Sequence, residues 1–197
     1  MPTRSYVSPS RSQAAAETRS KVLAVAAEML RNEGGIARFS LDAVGKAAGV
    51  TRLTVYNQFG SRLGLLEAVM EDIARQGGIA RLGEVIAIAD PLEALDRLVE
   101  IFCTFWASDA AVGRIFDAMA LDDEIAEALA PRFSAGRSVI AAIVERGLPG
   151  DTASVRRDAA DMIQALTDLP VYRSLSPGRT AEQVCTLLRK SCRAVIC

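Results

Sequence analysis

Thr51, Arg52, Leu53 and Thr54 follow one another, and each carries a group suited to the edge of a base pair. The guanidinium of an arginine forks onto guanine O6 and N7, a threonine hydrogen-bonds a base edge or touches the thymine methyl, and a leucine makes only the apolar contact. Tyr56, Asn57 and Gln58 come next, with Arg62 beyond them and Ser40 and Lys46 ahead of them. All six are types that contact phosphate oxygens. These side chains act together only if one short element carries the first group outward and a neighbour presents the second.

The local pattern supplies such a pair. Ser40 is placed to cap a helix over Leu41 to Ala48, Asp42 sits favourably in its first turn, and Phe39 can staple onto Val44. Gly49 ends that helix because it takes positive φ without steric cost. Thr51 then caps a second short helix, opened by Leu53, Val55 and Tyr56 and closing near Phe59-Gly60-Ser61. Ala47, Val50, Val55 and Phe59 are expected to pack the pair together. Ahead of it, Val22, Ala26, Met29 and Leu30 form one apolar stripe of a helix from Thr18 to Gly34-Gly35. Two short helices across a glycine turn make a helix-turn-helix, whose second member fits a major groove about 12 Å wide.

Composition removes several alternatives. The chain of 197 residues has no histidine, which excludes Ser-His-Asp and Cys-His nucleophile pairs and histidine-containing metal sites. Cys103, Cys185, Cys192 and Cys197 show no C-x-x-C spacing, so they are read as free apolar cysteines in a reducing compartment, with a dimer-bridging or redox role for Cys197 as the alternative. No metal and no cofactor are expected. There is no run of 18 apolar residues and no apolar segment near Met1, so neither a membrane span nor export is expected and the cytoplasm is the expected location. Nine basic and four acidic residues through Leu63 give that segment net +5, which leaves −6 for the remainder. Such asymmetry fits one end meeting a polyanion.

The class is all-α, with about nine helices in all. Residues 1–17 lack apolar periodicity and are expected to be a disordered arm containing Arg4 and Arg11. Beyond Ser61 helical spacing continues through Leu65, Leu66, Val69, Met70 and Ile73, with Gly77-Gly78 as a weak point before Ile79 to Ala89. Further helices are expected over Pro91 to Ala107 behind a capping Asp90, Ala110 to Met119, Asp123 to Arg146 with a kink or break at Pro131, Thr152 to Leu169, and Ala181 to Val195 behind a Thr180-x-x-Gln183 capping box.

The string from Phe39 to Arg62 closely resembles the DNA-binding module of the tetracycline-repressor (TetR) family of transcription regulators. Ala48-Gly49-Val50, Thr54-Val55-Tyr56, Phe59 and Ser61-Arg62 are its most specific parts, followed by Leu65-Leu66 and Val69. Gln58 stands where members often have a phosphate-contacting histidine, and Leu63 where an acid is common; Leu53 and Asn57 are less typical of the reading face. The resemblance implies a three-helix DNA-binding domain over 18–63 and a helical effector-binding and dimerisation domain over 64–197. It further implies double-stranded DNA as a partner and a homodimer formed through the last two helices. In those helices Val155, Ala159, Met162, Ile163 and Leu166, then Val184, Leu187, Leu188 and Val195, form apolar stripes.

In the middle helices Phe102, Phe105, Trp106, Phe116, Met119, Phe133, Ile140, Ile143 and Val144 gather large apolar groups. Ordinary core packing accounts for most such residues. The alternative is that Phe102, Phe105, Trp106, Phe116, Met119, Phe133, Ile140 and Val144 line a cavity for a small apolar effector, with Arg97, Arg114 or Asp117 as polar anchors. The expected function is therefore a sequence-specific regulator, a repressor released from a palindromic operator by that effector; a regulator of the same fold without effector is the alternative. An enzyme has as its best candidate the acids Asp122, Asp123 and Glu124, which lack a general acid/base partner and sit where acids complement a helix start. No catalytic residue is assigned.

Overall fold

The computed structural model describes the backbone of residues 9–197 and the side chains of residues 13–131 and 136–197. Every regular element among them is helical. The chain forms two compact units, one through Asp72 and one from Ile73 onward.

The first unit contains α1 (Pro9–Arg31), the single turn α2 (Gly35–Arg38), α3 (Leu41–Ala48), α4 (Arg52–Phe59) and most of α5 (Arg62–Gln76). Helix α1 begins well before Thr18, so the expected arm is helical from Pro9 on. The cause is local: Ala14, Ala15 and Ala16 are strong helix formers, Gln13 Nε2 donates to Glu17 Oε1 at 3.3 Å, and the Thr18 hydroxyl donates to the Ala14 carbonyl at 2.8 Å. Arg4 and the Arg11 side chain lie outside the described residues. Val22, Ala26 and Leu30 of α1 meet Phe39, Leu41, Val44, Ala48, Val55, Leu65, Leu66 and Val69 in a core from which water is excluded. Full burial of each large apolar side chain contributes roughly 1.5–3 kcal/mol.

The second unit follows with a 3₁₀ turn (Ile79–Arg81), α6 (Leu82–Val85), α7 (Pro91–Ser108), α8 (Ala110–Met119), α9 (Asp123–Gly147), α10 (Ala153–Thr167), α11 (Leu169–Leu175) and α12 (Ala181–Ile196). Helix α7 is its centre. Half of its residues are buried, and α6, α8, α9, α10, α11 and α12 all pack on it. Asp90 accepts from the Glu93 N–H at 2.7 Å with Pro91 at the helix start. Thr180 and Gln183 close a complete capping box, at 3.2 and 2.9 Å.

Among the described residues the helices of eight residues or more number nine, and the departures from expectation have tertiary causes. Ile79 to Ala89 is broken because Arg146 of α9 takes the carbonyls of Ile86 and Ile88, at 3.1 and 2.9 Å. Helix α10 stops at Thr167, whose carbonyl accepts from the Trp106 indole at 2.8 Å; Pro170 then sits in the first turn of the separate α11. Conversely, α9 runs through Pro131 unbroken. An interior proline costs about 3 kcal/mol, but Ile125 and Leu129 before it and Val139, Ile140 and Ile143 after it are all buried, and that burial holds both halves in line.

Candidate nucleic-acid interface

The turn between α3 and α4 is built by hydrogen bonds that the local residues dictate. Ser40 Oγ accepts from the Ala43 N–H at 3.1 Å and so caps α3. Gly49 ends it at φ 70°, its N–H donating to the Lys46 carbonyl at 3.2 Å while the Val50 N–H donates to the Gly45 carbonyl at 2.9 Å. A side chain on Gly45 would bring a Cβ to 3.1 Å from the Val50 carbonyl oxygen, so the close return of the chain leaves little room for one. Thr51 Oγ1 accepts from the Thr54 N–H at 3.1 Å and shares a hydrogen bond with the Thr54 hydroxyl at 2.8 Å.

Helix α4 inserts a single side chain, Val55, fully into the core. Thr51, Arg52, Leu53, Tyr56 and Asn57 are exposed, and Thr54 and Gln58 half-buried. Leu53 is 65% and Tyr56 53% exposed, large apolar groups left in water on the same short helix as the exposed Arg52. On α3, Lys46 is exposed and Ser40 half-buried. Most of the expected reading set is thus open to solvent.

Four residues depart from expectation. Ala47 is exposed, and Ala48 takes the buried place foreseen for it. Val50 and Phe59 are half-buried rather than enclosed. Arg62 turns inward: its Nε donates to the Phe39 carbonyl at 2.9 Å and its Nη2 to the Ile36 carbonyl at 3.3 Å. Its planar fork pins the segment before α3, a structural role beyond the phosphate contact expected of it. Gln58 Oε1 is buried without a hydrogen-bond partner among the described residues.

One residue that the sequence reading passed over fixes the end of α4. The Arg19 guanidinium lies 4.4 Å from the centre of the Phe59 ring and donates to the Gln58 carbonyl at 3.3 Å. The signal was there: Arg19 precedes Val22 and Ala26 at helical spacing, so a cation stands on the apolar stripe of α1 and needs a partner.

In the second unit the apolar set mostly packs against itself. Phe102 stacks on Trp106 at 6.1 Å, Phe105 tilts against it at 4.9 Å and Phe116 meets it edge-on at 6.2 Å. Phe102, Phe105, Trp106, Ile140 and Val144 are buried; Phe116 and Met119 are half-buried; the Phe133 side chain lies outside the described residues. A cleft of about 600 Å³ opens elsewhere, between α7 and α12, and Arg97, Glu100, Cys103, Thr104, Cys185 and Arg189 are among its lining residues. Of the apolar candidates with described side chains, none lines it. Of the anchors, Arg97 pairs with Glu100 at 3.2 Å and Asp117 with Arg173 at 2.6 Å. Asp122 caps α9, accepting from the Glu124 and Ile125 N–H groups at 3.1 and 3.3 Å. Asp123 and Glu124 fill the first turn, the ordinary place for acids. Among the described residues no cluster of ligating side chains is arranged for a metal, and no helix is long and apolar enough to cross a membrane.

Residues 23–69 match the model of the bacterial regulatory proteins of the tetR family. Over that segment the chain is similar to the TetR family. The match runs from within α1 to within α5 and so contains the whole α3–α4 pair. A likeness of fold extends over most of the chain. A TetR-family regulator from Rhodococcus sp. superposes with a TM-score of 0.74 at 22% identity, over 92% of this chain and 100% of its own. A transcriptional regulator from Saccharomonospora viridis, solved in complex with choline, gives 0.67 at 17% identity over 89% and 95% of the two chains. A TetR-family regulator from Mesorhizobium loti MAFF303099 gives 0.64 at 15%, over 92% and 96%. No curated protein matches the sequence.

Proposed function

We propose that this chain is a homodimeric, sequence-reading regulator of transcription whose α4 enters the major groove of an operator. The observation that carries the proposal is the outward surface of α4, with one buried side chain in eight residues and exposed Arg52, Leu53 and Tyr56. In this reading Thr51, Arg52, Leu53 and Thr54 face base edges. Tyr56, Asn57, Gln58, Ser40 and Lys46 hold phosphates, while Arg62 and Arg19 hold the helix pair itself. One such helix reads few base pairs, so two copies on half-sites about 34–36 Å apart supply the affinity.

The second copy meets the outer edge of α10 and α12. Val155 is 44% and Met162 53% exposed on α10, and Leu166, Leu187 and Val195 are half-buried beside their inward neighbours Ala159, Ile163, Val184 and Leu188. Repression is released, in this proposal, by a small molecule that favours a form of the second unit in which α5 carries the reading helices off their spacing. Phe116 and Met119 are the members of the apolar set still open to it, over a packed floor of Phe102, Phe105 and Trp106. The choline held by the relative of the same fold supports uptake of a small molecule by such a unit. Coupling of ~1–3 kcal/mol would change operator affinity roughly 5- to 150-fold. Gly77 is a poor source of compliance, since a Cβ there would fall 2.8 Å from the Phe105 ring; it is kept small by α7.

Selection of bound duplexes from a random pool tests the first half. Enrichment of a palindrome whose half-sites lie one helical turn apart supports it, and equal retention of all duplexes defeats it. Thermal shift against a metabolite panel tests the second: a ligand that raises the melting temperature and lowers operator affinity supports release, whereas no shift across the panel favours the same fold without effector.

A further inference from the structure

Two of the four cysteines meet in the cleft of the second unit, a feature that plays no part in the proposed DNA reading. Cys103 comes from α7 and Cys185 from α12, and both line the same cleft of about 600 Å³. Helices α7 and α12 pack directly on each other, and each thiol is the leading influence on the other's proton affinity. Arg189, one turn after Cys185, borders the cleft and donates from Nη1 to Glu100 at 2.8 Å. Cys103 is buried and Cys185 half-buried, whereas Cys192 is fully enclosed. The pair therefore has one member that solvent reaches, one behind it, and a cation on the rim.

We infer that Cys185 and Cys103 form a peroxide-reactive dithiol, with Cys185 as the attacking thiol, Cys103 as the resolving one and a small hydroperoxide as the oxidant. The Cys185 thiolate attacks the distal oxygen of ROOH; its S–O bond forms as the O–O bond breaks, and the alkoxide leaves with a proton as ROH. Cys185 is then a sulfenic acid. The Cys103 sulfur displaces its hydroxyl as water, and a disulfide joins α7 to α12. Overall two thiols and one hydroperoxide give one disulfide, one alcohol and one water. Arg189 is placed to donate a hydrogen bond to the departing oxygen.

The electrostatics favour this division of roles. The neighbouring Cys103 thiol, and after it the Arg189 charge, bring the Cys185 thiol down to about 7 against the desolvation that opposes them. The Cys185 thiol and burial push the Cys103 thiol up, and burial pushes Cys192 up to about 12. Thiolate character, on which nucleophilic attack depends, thus concentrates on the exposed member. Cys185 and Leu187 differ by two helical positions, roughly 200° around α12, so Leu187 of the edge proposed for dimerisation faces away from the cleft.

The test uses the reduced full-length protein, treated with cumene hydroperoxide at neutral pH and digested for mass spectrometry after the remaining thiols are blocked. The expected result is loss of two thiols per chain and one cross-linked peptide pair containing Cys103 and Cys185, reversed by dithiothreitol. Cys185→Ser should abolish the cross-link and leave Cys103 reduced, since the buried thiol is not the attacking one, and Cys197→Ser should leave the cross-link unchanged. Cys103→Ala should let dimedone trap a sulfenic acid on Cys185. If the buried substitution at Cys103 impairs folding, dimedone competition against cross-linking in the unaltered protein gives the same reading. Oxidation confined to Cys197, a pairing through Cys192, or no cross-link with excess peroxide would overturn the inference.

Discussion

At the scale of single residues, the proposed interface separates side chains that read from side chains that hold. Arg52 is exposed at the start of α4, so Arg52→Ala is expected to cost about 1–3 kcal/mol of operator binding and to relax preference at one base pair. Fluorescence anisotropy on matched and mutated operators checks this. Lys46→Ala should weaken all duplexes alike and lower the salt slope by about 1. Arg62→Ala acts differently, because it strips donors from the Phe39 and Ile36 carbonyls; the expected loss is about 1–3 kcal/mol of stability in thermal or urea unfolding. Sequence types alone could not tell Arg52 from Arg62. Both are arginines beside a helix start, and only the path of the chain before α3 decides which one turns inward. The cleft thiols bring a pH dependence: Asp96, Glu100 and Cys103 of α7, Arg189 of α12 and Tyr172 of α11 surround Cys185. The Cys103–Cys185 pair is expected to lose its first proton near pH 7, so alkylation of Cys185 should rise through that pH and fall away below it, whereas an ordinary thiol rises near 9. Iodoacetamide labelling rates from pH 5 to 9, read by mass spectrometry, measure the midpoint.

At the scale of elements, helix starts were legible in the sequence because a cap is decided within four residues. Ser40, Thr51, Asp90 and Thr180 all accept from the backbone as their positions foretold. Ends and interruptions were legible only where glycine or local spacing decides them, as at Gly49. The end of α10 rests on Trp106, far away in the chain, and the break after α6 on Arg146; no window of sequence contains both partners. The α9 break expected at Pro131 did not form, since apolar burial on both sides outweighs the local penalty. Gly49 offers a direct check of the turn. Gly49→Ala forces an alanine to φ near 70°, which is expected to cost about 1–2 kcal/mol and to lower operator affinity by loosening α4 against α3. Urea unfolding and operator titration of the same variant should move together.

At the scale of the whole molecule, the +5 of the N-terminal segment and the −6 of the rest fit the proposal that one end meets a polyanion while the other stays solvated. The apolar candidates for a ligand site show what periodicity cannot reveal: a stripe of Phe102, Phe105 and Trp106 looks the same whether it encloses a cavity or fills one; here the three are buried and in ring contact. The α7–α12 cleft escaped notice because its lining comes from segments distant in sequence. Dimerisation through α10 and α12 predicts that Met162→Glu, which places a charge on an exposed apolar edge, leaves each chain folded but shifts sedimentation toward the monomer and reduces operator affinity at least tenfold. The most direct test of the central claim is footprinting of the purified protein on its selected operator, with stoichiometry from sedimentation. Two chains protecting two major-groove half-sites one helical turn apart, with protection lost at a half-site base pair on Arg52→Ala, is the expected result. A single chain on DNA, or protection indifferent to Arg52, would contradict it.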